Sequence, residues 1–366
     1  MHTLVASRLR RACRRAIRVH GLGVTCVGVT CCSAWLAVGA RLAHAEDATR
    51  PATSAKPAHG VESQTEKGGA SEPDARDPVL VRPFLQIMYA SFDFETEDDV
   101  ALEIVPNPTS NLGVTLGAWG FGLSLSMDVG RVESSDEYGE SDNFNVEFTY
   151  PFRVFGGREL DVAAFLHYHD TLSMSRAGAA REVVDGAVIT TLGLDFMFVF
   201  DPKFSIADAF SDFSPRSGSR GSFFMRSSLE LWFLGFIDEP ERRLIPDALN
   251  EGFGDFVDLN GFNTGNATLG AGYAYDWNFA RHFFLSMMGH LGLAGSLLEL
   301  TFAPNDEEER SRALGASFGL QLAGSFVSKD FHAGLVTGAV ADVINTHRVD
   351  VVSQRLSSTL FAGVRF

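Results

Sequence analysis

The chain has 366 residues, a formal net charge of −16, 31 phenylalanines and only 4 cysteines. Acidic residues outnumber basic ones 46 to 30, which argues against nucleic acid as a partner because phosphate contacts draw on Lys and Arg. Beyond the amino-terminal segment no run is long and apolar enough for a membrane helix. Entry into a membrane would therefore require strands, since only helices and closed barrels satisfy their backbone in lipid.

Residues 1–45 read as a signal peptide. Arg8, Arg10, Arg11, Arg14, Arg15 and Arg18 form a basic start, Gly21 to Ala40 is uncharged and apolar, and Ala43-His44-Ala45 supplies a small-x-small cleavage pattern before Glu46. An uncleaved anchor is the rival reading, since about 20 apolar residues can span a bilayer. Cys13, Cys26, Cys31 and Cys32 all lie in this segment. Cleavage after Ala45 would leave no disulfide, thiolate metal site or cysteine nucleophile. Gly28-Val29-Thr30 stands where a lipoprotein would carry Leu-small-small before its cysteine. Residues 46–78 are rich in Ala, Pro, Ser, Gly and charge, without a hydrophobic period, and read as a disordered periplasmic leader.

From Val79 to Phe366 the pattern becomes alternation with period two. Phe121, Leu123, Leu125, Met127 and Val129 alternate with Gly122, Ser124, Ser126 and Asp128; Phe144, Val146, Phe148, Tyr150 and Phe152 alternate with Asn145, Glu147 and Thr149. Successive side chains on a strand face opposite ways, so each run makes one apolar and one polar face. A soluble sandwich alternates too. Three features favour a transmembrane antiparallel β-barrel over residues 79–366. Gly113, Gly117, Gly270, Gly272, Gly315, Gly319, Gly334, Gly338 and Gly363 crowd the polar face, as a strongly curved sheet requires. Tyr150, Phe152, Tyr273, Tyr275 and Trp277 sit near strand ends like an interfacial girdle. The last strand ends on the aromatic Phe366, similar to the signal by which bacterial barrels are recognised for assembly into the outer membrane of a Gram-negative cell.

Short links at Gly117–Gly120, Phe155–Arg158, Trp277–Arg281 and Ser328–Asp330 mark the periplasmic side. Longer acidic links at Glu133–Asp142, Thr171–Gly186, Asp238–Phe262, Ala303–Arg310 and Thr346–Gln354 mark the outer side. Counting every alternating run, Phe204–Phe213 included, gives an odd number of strands, which would leave the two ends on opposite sides. One strand at Ser222–Phe236 restores parity and predicts about twelve strands, with about fourteen as the alternative. Pro202–Arg220 then becomes a long inner turn or a segment tucked into the barrel mouth.

The residues at this point resemble the bacterial outer-membrane barrels grouped as domain of unknown function 4421. The resemblance runs through Val105-Pro106-Asn107-Pro108, Leu112-Gly113-Val114, Trp119-Gly120-Phe121-Gly122-Leu123-Ser124-Leu125-Ser126, Phe200-Asp201-Pro202-Lys203-Phe204-Ser205, Ser219-Arg220-Gly221-Ser222-Phe223 and Gly272-Tyr273-Ala274-Tyr275. The family usually has Asn where Asp201 stands, and an aromatic-Lys-Gly-Phe patch where this chain reads Tyr168-His169-Asp170-Thr171. The resemblance implies location and architecture, and no activity.

Alternation places Asp128, Glu147, Asp161, His167, His169, Asp195, Arg226, Glu230, Asp276, His290 and Arg365 toward the lumen. His167 and His169 share a face, as a metal or general-base pair would, but such a site needs a third ligand such as Asp161 or Asp195, and a polar wall of hydrogen-bonded and ion-paired groups is the favoured reading. Arg226 is expected to pair with a neighbouring strand, for example at Asp195, because buried charges are normally paired. Asn305-Asp306-Glu307-Glu308-Glu309 lacks the calcium-loop spacing and reads as a solvated loop. No G-x-S-x-G, H-E-x-x-H or phosphate-binding loop occurs. No cofactor is implied. The leading expectation is a non-enzymatic outer-membrane barrel passing or binding a small solute or lipid-like molecule. The rivals are a structural or surface-interaction barrel acting through its long acidic loops and, third, a lipid-modifying enzyme. Outer-membrane lipids and the barrel-assembly machinery, engaged through the last strand, are the expected partners.

Overall fold

In the computed structural model the described residues are 79–366, apart from 97–99, 107, 119, 132–141, 177–178, 212–217, 238, 240, 281, 304–306 and 329. The expected signal peptide and leader, and nearly all of the Glu133–Asp142 link, lie outside them.

The strands are β1 (Leu80–Thr96), β2 (Ala101–Pro106), β3 (Thr109–Ala118), β4 (Phe121–Arg131), β5 (Asn143–Arg153), β6 (Glu159–Arg176), β7 (Glu182–Val199), β8 (Arg220–Phe236), β9 (Leu259–Ala280), β10 (Phe283–Phe302), β11 (Glu307–Val327), β12 (Phe331–Asn345) and β13 (Val349–Arg365). All pair antiparallel, and β13 returns to β1 with Arg365 opposite Leu80 and Val349 opposite Thr96. The ring β1-β3-β4-β5-β6 through β13 has twelve strands, not fourteen. Both ends of the barrel chain and the short links lie at one end, termed inner.

The outward face explains why the sheet closes in lipid rather than around a second sheet. Leu291, Leu293 and Leu314 are 74%, 76% and 81% exposed, as isolated leucines in water seldom are in such density. Toward the inner end this apolar band meets an aromatic girdle: Tyr150 with Phe152, Phe223 with Tyr273, and Phe283 with Phe326 are in ring contact. No helix among the described residues is long and apolar enough to cross a membrane; the strands cross it.

The wall is uneven in height. β3, β4 and β5 have 10, 11 and 11 residues, about what a tilted membrane crossing needs. β9, β10 and β11 have 22, 20 and 21 and run well past the membrane at the outer end. Links expected as loops at Thr171–Gly186, Ala303–Arg310 and Thr346–Gln354 are therefore largely strand: β6 continues to Arg176, β11 begins at Glu307 and β13 at Val349. Acidic composition misled there, because strands above the membrane turn their outer face to water and carry charge as loops do.

Above the short strands the sheet closes through β2. It pairs with the far end of β1 (Phe92 opposite Ile104) and of β6 (Leu102 opposite Arg176). The outer tube is thus β1, β2 and β6 to β13, narrower than the twelve-stranded ring below. The hand-over from β5 to β2 falls at Thr171, whose φ of 55° is positive and which sits in a register break between Asp170 and Leu172. Below the break His167 and His169 face inward; above it Leu172 and Met174 do, both fully buried. One extra residue therefore resets the alternation so that the apolar set stays inside.

Glycine serves a different need on β9 and β11. A Cβ at Gly272 would overlap the Gly289 carbonyl oxygen and the Phe224 ring, and one at Gly315 the Val343 carbonyl oxygen. Side chains there would push the strands apart where the wall bends most.

Two outcomes follow. Thr171→Gly relieves the left-handed strain, which costs roughly 1–2 kcal/mol for an L-residue, and is expected to keep or raise stability in urea unfolding from detergent micelles. Deleting Thr171 removes the extra residue, so strict alternation from His169 keeps Leu172 and Met174 inward, and the heat-modifiable folded band on gels is expected to persist.

Candidate functional site

The lumen holds the groups that could carry a function, and it is filled in three layers. At the outer end the segment between β8 and β9 folds back into the tube, with short 3-10 turns at Asp247–Leu249 and Gly254–Asp258. Leu244, Ile245, Leu249, Phe253 and Phe256 are buried there against Phe92, Phe94, Trp232 and Phe262. Phe92 of β1 contacts Trp232 of β8 at 5.6 Å between ring centroids and Phe262 of β9 at 6.4 Å. In the narrowed ring β1 and β9 are opposite walls, so side chains meet across the lumen. Arg348 ties this segment to the rim through Asp255 at 3.4 Å, and Arg176 does so through Glu251 at 3.3 Å.

The inner end is filled by the segment between β7 and β8. The alternating run Phe204–Phe213 is no strand where it is described: residues 204–211 turn into the barrel, with a π-helical turn at Ala207–Ser211. Phe204, Ile206 and Phe210 are buried with Phe84, Phe224, Phe284 and Phe361. Glu159, wholly buried at the start of β6, accepts the amide N–H groups of Ile206 at 2.8 Å and Ala207 at 3.2 Å. Its carboxylate satisfies the first donors of the helical turn, which have no partner of their own. Alternation failed on this segment because a plug packed on all sides shows apolar residues at every spacing.

Between the plugs lies a polar layer. Arg226 meets Asp195 with Nε 2.9 Å from both carboxylate oxygens and Nη2 2.7 Å from Oδ2, and its Nη1 lies 2.5 Å from His290 Nε2. Glu230 accepts from Arg355 at 3.0 Å and from the Trp232 indole N–H at 2.9 Å. Arg355 also faces Asp342 at 3.6 Å. A cavity of about 10 Å³, room for one water at most, lies against Glu230, Trp232, Asn266, Thr268 and Asp342.

The structure places the remaining expected residues separately. Asp276 accepts from Ser286 at 2.5 Å, and Asp161 is buried near the inner end. Asp128 accepts the Gly130 N–H at 2.8 Å. Glu147 stays accessible inside the lumen, and Arg365 sits at the inner rim opposite Leu80. His167 and His169 face inward on β6, opposite Asn145 and Asn143. Among the described residues no group of three or more His, Cys, Asp or Glu side chains is gathered as a metal site.

Sequence reading missed Arg355, Asp342 and Glu159, and the asparagines Asn111, Asn143 and Asn145. Arg355 shares parity with Arg365 on the last strand, a usable signal once β13 is known to begin before Leu356.

With this geometry in place, comparison with family models is decisive: the model described as Domain of unknown function (DUF4421) matches residues 74–366. The chain belongs to that family. No curated protein matches it. Among solved structures this DUF4421 barrel is similar to the outer membrane protease OmpT from Escherichia coli, at 8% identity and TM-score 0.37 over 80% of this chain and 98% of that one. It is similar to the translocator domain of the autotransporter NalP from Neisseria meningitidis, at 10% identity and TM-score 0.39 over 78% and 88%. It also resembles the KdgM porin in complex with disordered oligogalacturonate, at 12% identity and TM-score 0.23 over 75% and 98%. Likeness at this level carries no activity to the DUF4421 chain.

The polar layer has a measurable consequence. Arg355→Met leaves Glu230 and Asp342 without their cation, and breaking one partner of a buried pair costs about 3–5 kcal/mol. The urea midpoint should fall accordingly, and Glu230→Gln combined with Arg355→Met should recover part of the loss.

Proposed function

We propose that this chain is an outer-membrane β-barrel that acts as a closed structural and surface-interaction platform rather than as an open pore. The observation that carries this reading is the contact of opposite walls at Phe92, Trp232 and Phe262. Solute passage needs a continuous wet path, and here apolar layers fill both ends of the tube.

What the fold presents instead is a tall rim. Glu103 with Arg181 at 2.8 Å, and Arg310 with Glu299 and Glu308 at 2.5 and 2.8 Å, cover its outer surface with paired charge. The exposed Arg310 pairs add little to stability, and the half-buried Glu103–Arg181 pair lies on the same water-facing side. An outer-membrane address fits an even-numbered ring with short turns at one end. Lipids around the apolar belt, and assembly machinery docking on β13 through Phe366, complete the reading.

The refolded protein in planar bilayers is expected to show no steady conductance. Shortening the segment 239–258 to a tight turn should give no large pore either, because the inner plug remains. Ohmic current from the intact protein would contradict the proposal.

A further inference from the structure

The lumen wall formed by β1 and β3 to β6 carries a polar cluster that the ion-paired layer does not use. Met88, Asn111, Ser126, Asn143, Asn145 and His169 face inward there on neighbouring strands, directly below the outer plug. Asn111 is 0%, Asn143 4%, Asn145 7% and His169 6% exposed.

The three amides have their nitrogens engaged. Asn111 Nδ2 and Asn145 Nδ2 both approach Met88 Sδ at 3.6 Å, Asn145 Nδ2 also donates to Ser126 Oγ at 3.3 Å, and Asn143 Nδ2 donates to Thr109 Oγ1. What remains is a set of acceptors. Oδ1 of each asparagine is buried without a hydrogen-bond partner, as is Nδ1 of His169. A buried polar atom left unmet costs about 1–3 kcal/mol, and natural cores rarely tolerate several together.

The electrostatics of this wall decide what would meet them. Arg131, Arg153 and Arg176 end β4, β5 and β6; between those ends β3 to β6 carry no Lys or Arg. Asp128, opposite Asn111 in register, adds a carboxylate to the same face; further toward the inner end Arg82 of β1 reaches Thr115 of β3 at 3.3 Å and faces Glu147. Arg226 and Arg355 are committed to Asp195, Glu230 and Asp342 on other strands. Neutral carbonyl oxygens with adjoining carboxylates are the ligand set of hard cations.

We propose that this cluster is a binding site for a hard metal cation of the calcium class, held by the amide oxygens of Asn111, Asn143 and Asn145. The cation would complete the buried amide acceptors and tie β3 to β5, two of the shortest ring strands.

The test is thermal unfolding and calorimetric titration of the refolded full-length chain in detergent with CaCl2, MgCl2, NaCl and KCl in turn. One of these cations is expected to raise the unfolding midpoint by several degrees with one-to-one stoichiometry. Asn111→Leu should remove the effect, Asn145→Asp should tighten binding at least tenfold by adding charge, and Glu308→Gln on the outer rim should leave it unchanged. Where Asn111→Leu fails to fold, Asn145→Asp alone decides by the direction of its change. A folded wild-type protein whose midpoint no cation shifts would mean that water alone meets these oxygens and would overturn the proposal, as would a shift lost in Glu308→Gln and kept in Asn111→Leu.

Discussion

The structure turns on one change of partner. β1 and β6 leave β3 and β5 below and take β2 above, which narrows the ring between the membrane and the outer rim. Interior width grows with strand number, so fewer strands bring opposite walls within reach of single aromatic side chains. The narrowing works only because β6 resets its alternation at Thr171. β7 answers opposite it, skipping from Val184 to Val188 in register with Gly186 at φ 76° between them. Without that paired irregularity, a purely alternating strand would put Ser173 and Ser175 inside and its apolar residues outside.

Closure then follows from ordinary core physics. The outer tube holds a packed apolar interior resembling that of a soluble domain, and the membrane-level ring holds charges that need one another. Burying Arg226 and Arg355 is costly, and their carboxylate partners offset that cost without making the layer a strong source of stability. Its value is geometric: the charge-paired network fixes which strands face one another, while the plugs above and below shield it from bulk water. The two segments that fill the ends, Phe204–Ser211 and Leu244–Phe256, differ in how they are held. The inner one is pinned by the buried Glu159 carboxylate, the outer one by aromatic packing and by rim arginines.

Much of this was legible in the sequence. Period-two alternation from Val79 to Phe366 gave the barrel, parity gave twelve ring strands, and the same register aimed Arg226 and Glu230 into the lumen. β2 was not legible: at six residues, Ala101–Pro106 is too short for alternation to stand out. The outer loop from Asp238 also hid its role, because Leu244, Phe253 and Phe256 are spaced by turns and follow no period. The asparagine cluster was invisible for a different reason. Asn111, Asn143 and Asn145 are ordinary polar-face residues until three strands bring them side by side, and only burial shows that their oxygens lack partners.

Whether the lumen is sealed is most directly read by the reactivity of a thiol placed between the plugs. Ser228 points into the polar layer, is 2% exposed and lies 2.5 Å from Thr268 Oγ1. A chain lacking residues 1–45 has no cysteine of its own, so Ser228→Cys would be its single thiol. Folded in vesicles or detergent, that thiol should resist a bulky charged maleimide from both sides and react only after unfolding, while Glu251→Cys on the rim reacts at once. Rapid labelling of Cys at position 228 in the folded barrel would show an open lumen and contradict the account.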